Sequence, residues 1–252
     1  MNAAETGIKT YDSAEERAAR RRMMQFLKDT PIPEDQLLSN MGIFLNSKTL
    51  SRILVMDHLY RLAMDIPGVI MEFGVRWGQN SALFAALRGI YEPFNRHKKI
   101  VGFDTFEGFP SVAPQDGASE MIYKGNLAVT PGYKEYLEGI LRCQEQDNPL
   151  GHITKFEFRK GDASVEVDRY LAESPQAIVA LAYFDFHLYE PTKKCLESIR
   201  PRLVKGSVLG FDELNDPDSP GETLALMEVF GLSNIMLKRF RYASRVSYFV
   251  LK

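Results

Sequence analysis

The chain has 252 residues, 45% of them apolar and 25% charged, with a formal net charge of −2. That length suits one large domain, or one domain with appendages, whose core needs no disulfide staples. An aromatic share of 11% excludes disorder, near-balanced charge excludes a dedicated nucleic-acid binder, and no apolar run reaches the ~18 residues of a membrane span.

The chain opens with helices. Ser13 and Glu16 form an S-x-x-E capping box, and Ala18, Ala19, Met23, Phe26 and Leu27 follow at helical spacing until Pro31 and Pro33. A second helix is predicted from about Ser47 to Asp65, carrying Leu50, Ile53, Leu54, Leu62 and Ile66 and ended by Pro67-Gly68. Residues 1–66 are therefore expected to be a helical cap or oligomer contact, and residues 67–252 the main domain. Strands and helices then alternate. The predicted order is strand Val69–Phe73, helix Ser81–Ile90, strand Ile100–Phe103, strand Ile153–Arg159, strand Ile178–Phe186, helix Glu190–Arg200, strand Ser207–Phe211 and helix Gly221–Phe230. Two last strands, Ile235–Phe240 and Val246–Leu251, are joined by Arg241–Arg245. Near-continuous apolar strands separated by helices imply an α/β fold with a parallel sheet covered on both faces, and the short final link implies an antiparallel hairpin at one edge. The stretch from Pro110 to Gly151, with a helix near Tyr133–Gln146, is too long for an ordinary connection. It reads as a crossover helix with a long loop, as a lid over a site (residues 111–150), or as both.

In open parallel sheets ligands bind beyond the carboxyl ends of the strands, and five predicted strand ends carry acids: Glu72, Asp104, Asp162, Asp185 and Asp212-Glu213. Singly, each acid suits a helix cap. The turn Glu72-Phe-Gly74-Val-Arg76-Trp77-Gly78 lacks the G-x-G-x-x-G of a dinucleotide site, because Arg76 and Gln79 occupy the second and third glycine positions. An acid before the turn repels a diphosphate and suits a cationic ligand bearing an amino group and a sulfonium. Asp104 is placed to accept from two ribose hydroxyls and Asp162 from an adenine amino group, so the ligand shape is that of S-adenosylmethionine. Trp77 suits either the donor pocket or the core. Asp185, Asp212 and Glu213 end neighbouring strands ~4.8 Å apart. An all-oxygen set points to Mg²⁺, or Ca²⁺ as a substitute, able to chelate two vicinal oxygens of an acceptor. The alternative is one helix cap and one lone acid. His187, two residues beyond Asp185, is either a structural histidine or a base matched to removing a hydroxyl proton.

The strings VIMEFGVRWGQNS, VGFDTFEGFP, AYFDFHLYEPTKKCLESIRPRL and GSVLGFDE resemble the macrocin O-methyltransferase family, Mg²⁺- and S-adenosylmethionine-dependent enzymes that methylate sugar hydroxyls in antibiotic biosynthesis. The resemblance covers residues 68–213 and is specific at G-F-D-T-F-E-G-F-P. Within the family it is to nucleotide-deoxysugar 3-O-methyltransferases acting on TDP-rhamnose in enediyne biosynthesis. It implies a Rossmann-like class I methyltransferase fold with a seven-stranded, mostly parallel sheet whose last strand is antiparallel. It also implies donor contacts from Glu72, Gly74, Arg76, Trp77, Asn80, Ser81, Asp104, Thr105, Phe106, Gly108, Asp162, Ala163 and Asp185. Asp185, Asp212 and Glu213 would hold the metal, with His187 or Asp185 as the base. The chain departs from the family at two points: His187 stands where a second Asp of D-x-D is usual, and Glu213 where an Asp is usual.

The expected enzyme is thus a cytoplasmic homo-oligomer that methylates a sugar or nucleotide-sugar, binding neither nucleic acid nor membrane. Its rivals are a catechol-type O-methyltransferase acting on a phenolic diol, and a non-catalytic S-adenosylmethionine-binding protein.

Overall fold

The computed structural model describes residues 12–243 and 245–252. The first eleven residues lie outside the described residues. Helix α1 (Ala14–Lys28) starts at the expected capping box, Ser13 Oγ accepting from Glu16 N and Glu16 accepting from Ser13 N. A short helix α2 (Glu34–Leu37) and a 3-10 turn (Leu38–Phe44) follow. Helix α3 (Ser47–Ala63) is capped by Asn46.

The boundary expected at residue 66 does not divide the molecule. No residue from Asp12 to Leu54 is buried, but Val55, Met56, Leu59, Tyr60 and Ala63 of α3 lie in the main core. The α3 stripe reads as a cap in sequence because its outward residues, Leu50, Leu54 and Leu62, are as apolar as its inward ones.

The rest alternates strand and helix: β1 (Val69–Phe73), α4 (Gln79–Tyr91), β2 (Ile100–Asp104), α5 (Tyr133–Gln146), β3 (Phe156–Lys160), α6 (Ala163–Glu173), β4 (Val179–Phe184), α7 (Tyr189–Ile199), β5 (Leu203–Phe211), α8 (Gly221–Phe230), β6 (Lys238–Arg239) and β7 (Ser247–Val250). One seven-stranded sheet runs β3-β2-β1-β4-β5-β7-β6, parallel except that β7 is antiparallel to both β5 and β6. The edge hairpin is present, although its outer strand shrinks from Ile235–Phe240 to two residues after a 3-10 turn at Leu232–Asn234. Helix α6 has no counterpart in the sequence reading; its signal was the cap Asp162 followed by Val167, Tyr170 and Leu171, all three buried at helical spacing. Helix α5 lies over α4 with Leu137 and Leu141 buried, so the long 111–150 segment contains the crossover helix between β2 and β3.

The register levels the strand ends. Phe73 pairs with Phe103 and Phe184, and Phe184 with Phe211, and each of these last residues is followed by a site residue. Their rings form a stacked ladder across four strands, with centroid separations of 5.0, 4.6 and 5.1 Å. This buried floor leaves Gly74, Asp104, Asp185 and Asp212 on one rim. Among the described residues no helix is long and apolar enough to cross a membrane.

Candidate functional site

The chain crosses from one half of the sheet to the other between β1 and β4, which opens a crevice at their carboxyl ends. There the backbones nearly touch: a Cβ on Gly74, whose φ is +94°, would lie 2.2 Å from the Asp185 carbonyl oxygen. Only glycine fits. Asp104 organises both adjoining turns. Its Oδ2 accepts from Arg76 N at 2.7 Å and its Oδ1 from Phe106 N at 2.6 Å, holding two residues in the left-handed region (φ 48° and 55°).

A cavity of about 250 Å³ occupies the crevice. Of the expected donor residues, Gly74, Arg76, Trp77, Asn80, Asp104, Thr105, Gly108, Asp162, Ala163 and Asp185 line it. Three expected contacts do not. Glu72 is fully buried behind the wall, where Ser81 Oγ donates to it and its Oε1 has no partner; Ser81 is buried with it. Phe106 turns into the core against Phe158. Glu72 stands inside β1, one residue short of its end, and meets Ser81 of α4, while the positive φ of Phe106 itself turns its ring inward. Asp162 combines both of its readings, capping α6 through Oδ1 to Ser164 N at 2.9 Å while facing the cavity.

A second, wider cavity of about 1580 Å³ opens beside the first, and Arg52, Arg76, Leu127, Asp185 and His187 line both. At this junction one oxygen or nitrogen each from Asp185, His187 and Glu213 lie within 4.8 Å of one another. Glu213 Oε2 and His187 Nδ1 face each other at 3.2 Å without an aligned hydrogen bond, and both are buried without a partner. Burial lowers the His187 imidazole to about 4, so it is neutral. Burial, then the charge of Asp212, raises Asp185 to about 7 and lifts Glu213 well above the usual carboxylate range. Two buried carboxyls whose charged forms are disfavoured by burial and by each other, beside two orphaned atoms, form a pocket suited to a cation.

Asp212 departs from the expected ligand set. Its Oδ1 accepts from the Arg52 guanidinium and from Tyr183 Oη at 2.5 Å, and it is not among the converging atoms. Burial alone would raise its pKa, but Arg52 outweighs that and holds it well below the ordinary value. Arg52 reaches in from α3 and Arg245 from the hairpin link, 3.6 Å from Glu213 and 3.0 Å from Asp216. The sequence reading missed both arginines, since Arg52 lies within α3 and Arg245 precedes the amino end of β7, which reaches the rim only because β7 runs antiparallel to β5. It also missed Glu222, a fully buried acid at the start of α8.

Two predictions follow from this geometry. Asp104→Asn leaves one of the two turn amides facing an NH₂ group, and an unmade buried hydrogen bond costs ~1–3 kcal/mol. Donor affinity measured by calorimetry should fall about 10- to 100-fold, with the fold retained. Burial raises Glu72 to about 8 from the ordinary 4.5. Between those values the folded protein keeps a proton that the unfolded chain has released, so stability falls as pH rises. Melting temperature should drop between pH 6.5 and 8, and Glu72→Gln should make that slope shallower.

No family model and no curated protein matches the chain. Solved structures do. The crystal structure of CalS11, a calicheamicin methyltransferase, is 44% identical, covers 99% of this chain and 98% of its own, and superposes with a TM-score of 0.93. An apo structure of CalS11, described as a TDP-rhamnose 3'-O-methyltransferase of calicheamicin biosynthesis, is 42% identical over 96% of both chains with a TM-score of 0.85. The O-methyltransferase NovP, at 17% identity, 94% of this chain, 99% of its own and a TM-score of 0.60, shares the fold. The chain therefore belongs to the family of S-adenosylmethionine-dependent O-methyltransferases that contains CalS11, the family its strand-end motifs resemble.

Proposed function

We propose that this enzyme methylates a hydroxyl of a nucleotide-activated deoxysugar of the TDP-rhamnose kind, in natural-product biosynthesis. The observation that carries the reading is the meeting of two cavities at Asp185 and His187, one fitted to the donor and one wide enough for a nucleotide-sugar. S-adenosylmethionine supplies an already electrophilic methyl group, so the protein's task is to align and deprotonate the acceptor, and alignment alone can contribute ~7–11 kcal/mol. Asp104 and Asp162 hold the polar edges of the donor, and Gly74 and Gly108 let the backbone approach it.

A divalent cation such as Mg²⁺ fits the junction: Asp185 and Glu213 would hold it, relieving their mutual repulsion and occupying the orphaned Oε2. When bound, such an ion lowers the pKa of a chelated hydroxyl. His187, neutral and unpartnered at Nδ1, accepts the hydroxyl proton in this reading. Its 3.2 Å approach to Glu213 favours a second reading, His187 as a cation ligand, because neighbouring ligands of an octahedral ion at 2.0–2.1 Å stand about 3 Å apart.

We also read the exposed apolar side chains of the N-terminal helices, among them Phe26, Leu38 and Ile43, as a contact between copies of a cytoplasmic homo-oligomer. Light scattering on the purified chain tests it, and a monomer at all concentrations would refute it.

The function is tested by offering methyl-tritiated S-adenosylmethionine with TDP-rhamnose and, separately, with catechol. Label is expected in the nucleotide-sugar. Label in catechol alone would favour the phenolic rival, and donor binding without transfer to either would favour a binding protein.

A further inference from the structure

The loop after β4 delivers Asp185 and His187, and its backbone amides are taken up by two buried carboxyls from outside the strand ends. Glu222 Oε1 accepts from Phe186 N at 2.7 Å and from His187 N at 3.2 Å, while its Oε2 lies 3.4 Å from Glu213 N. One side chain thus ties the loop after β4 to the loop after β5. Asp116, in the 111–150 segment, accepts from Tyr189 N through Oδ1 and from Ala113 N through Oδ2, both at 2.6 Å. Glu222 is 0% and Asp116 1% exposed.

The packing around them leaves no slack. A Cβ on Gly221 would sit 2.5 Å from Tyr189 N and 2.7 Å from the His187 carbonyl oxygen, so the start of α8 is pressed onto the loop backbone. The loop itself turns sharply, for His187 has a φ of 62°, in the left-handed region that few residues other than glycine adopt. A strained residue persists only where its surroundings over-determine it. Here those surroundings are the carboxyl of Glu222 on its amide and Gly221 against its carbonyl.

We propose that Glu222, assisted by Asp116, is a positioning residue for the methyl-transfer step: it sets the relative placement of His187, Asp185 and Glu213 without itself lining either cavity. The proposal rests on the reading of those three residues as the reacting end of the site. Its role is hydrogen-bond acceptance, chiefly through Oε1, so an amide that keeps its oxygen on Phe186 N and His187 N and gives up only the 3.4 Å contact to Glu213 N should serve, and an apolar side chain of similar size should not. Glu222→Leu is expected to lower kcat at least 30-fold with donor affinity and acceptor KM within threefold. Glu222→Gln should restore kcat to within threefold of the parent enzyme. Asp116→Ala should lower kcat in the same manner by a smaller factor.

Hydrogen exchange followed at single amides supplies a readout independent of turnover. In Glu222→Leu the amides of Phe186 and His187 should exchange at least tenfold faster than in the parent, and in Glu222→Gln they should not. Unchanged kcat and exchange in a folded Glu222→Leu protein would overturn the proposal, as would a Gln variant as impaired as the Leu variant. Should Glu222→Leu fail to fold, the Gln and Asp116→Ala variants decide the matter by the same criteria. If the parent enzyme transfers no methyl to a nucleotide-sugar, the functional reading fails, and the exchange comparison alone then sustains or refutes the positioning role.

Discussion

Replacing His187 with alanine should lower kcat about 10²- to 10⁴-fold, the range that general-base catalysis supplies. The imidazole is buried, neutral at physiological pH and unpartnered at Nδ1, so that nitrogen is open to a hydroxyl proton even though burial weakens the ring as a base. Donor affinity should change little, because in the proposed reading the methyl donor is held chiefly by the turns after β1 and β2. The cation concentration giving half-maximal turnover separates the two readings of His187. A base leaves it unchanged; a ligand raises it at least tenfold on removal. Wild-type kcat in the alanine variant would refute both.

Glu213→Gln should produce a loss of similar size by a different route. The carboxyl is 1% exposed, lies among four acids including Asp185, Asp212 and Glu222, and has an oxygen with no partner. The amide keeps an oxygen but turns one of the two proposed charged ligands neutral, and losing one electrostatic contact at a reacting centre costs ~10²–10³ in kcat. The half-activating Mg²⁺ concentration should rise at least 100-fold, while donor binding by calorimetry stays within threefold, since Glu213 does not line the donor cavity. Turnover that survives EDTA in the parent and is untouched in the variant would remove the cation from the mechanism.

Much of the fold was legible in sequence, and for identifiable reasons. Strand β1, the helix of residues 133–146 and α8 begin and end where their patterns predict. Each is bounded by Gly or Pro or by a sharp change of period. Helix α6, left unread, begins directly after a strand-end acid with a single-residue cap, so the acid drew attention as a ligand and its capping role was passed over. Among the site residues, Asp104 and Asp185 lie on the rim because an acid following the last residue of a buried strand has nowhere else to go. Glu72 was misplaced because it stands inside β1 and meets Ser81 of α4, and Phe106 because its own positive φ redirects its ring in a way that residue spacing does not encode.

Local pattern by itself determined the parallel sheet, the antiparallel edge hairpin and the acidic rim, since periodicity and strand termini are properties of neighbouring residues. Which acids face one another was decided only by tertiary structure. Arg52, 160 positions before Asp212, draws that carboxylate away from the converging group, and Glu222, 35 positions after His187, holds the loop that completes it. Charge pairing in a buried site acts over a few ångströms in space and carries no trace along the chain. The rim could therefore be read from the residues, whereas the division of labour along it required the fold.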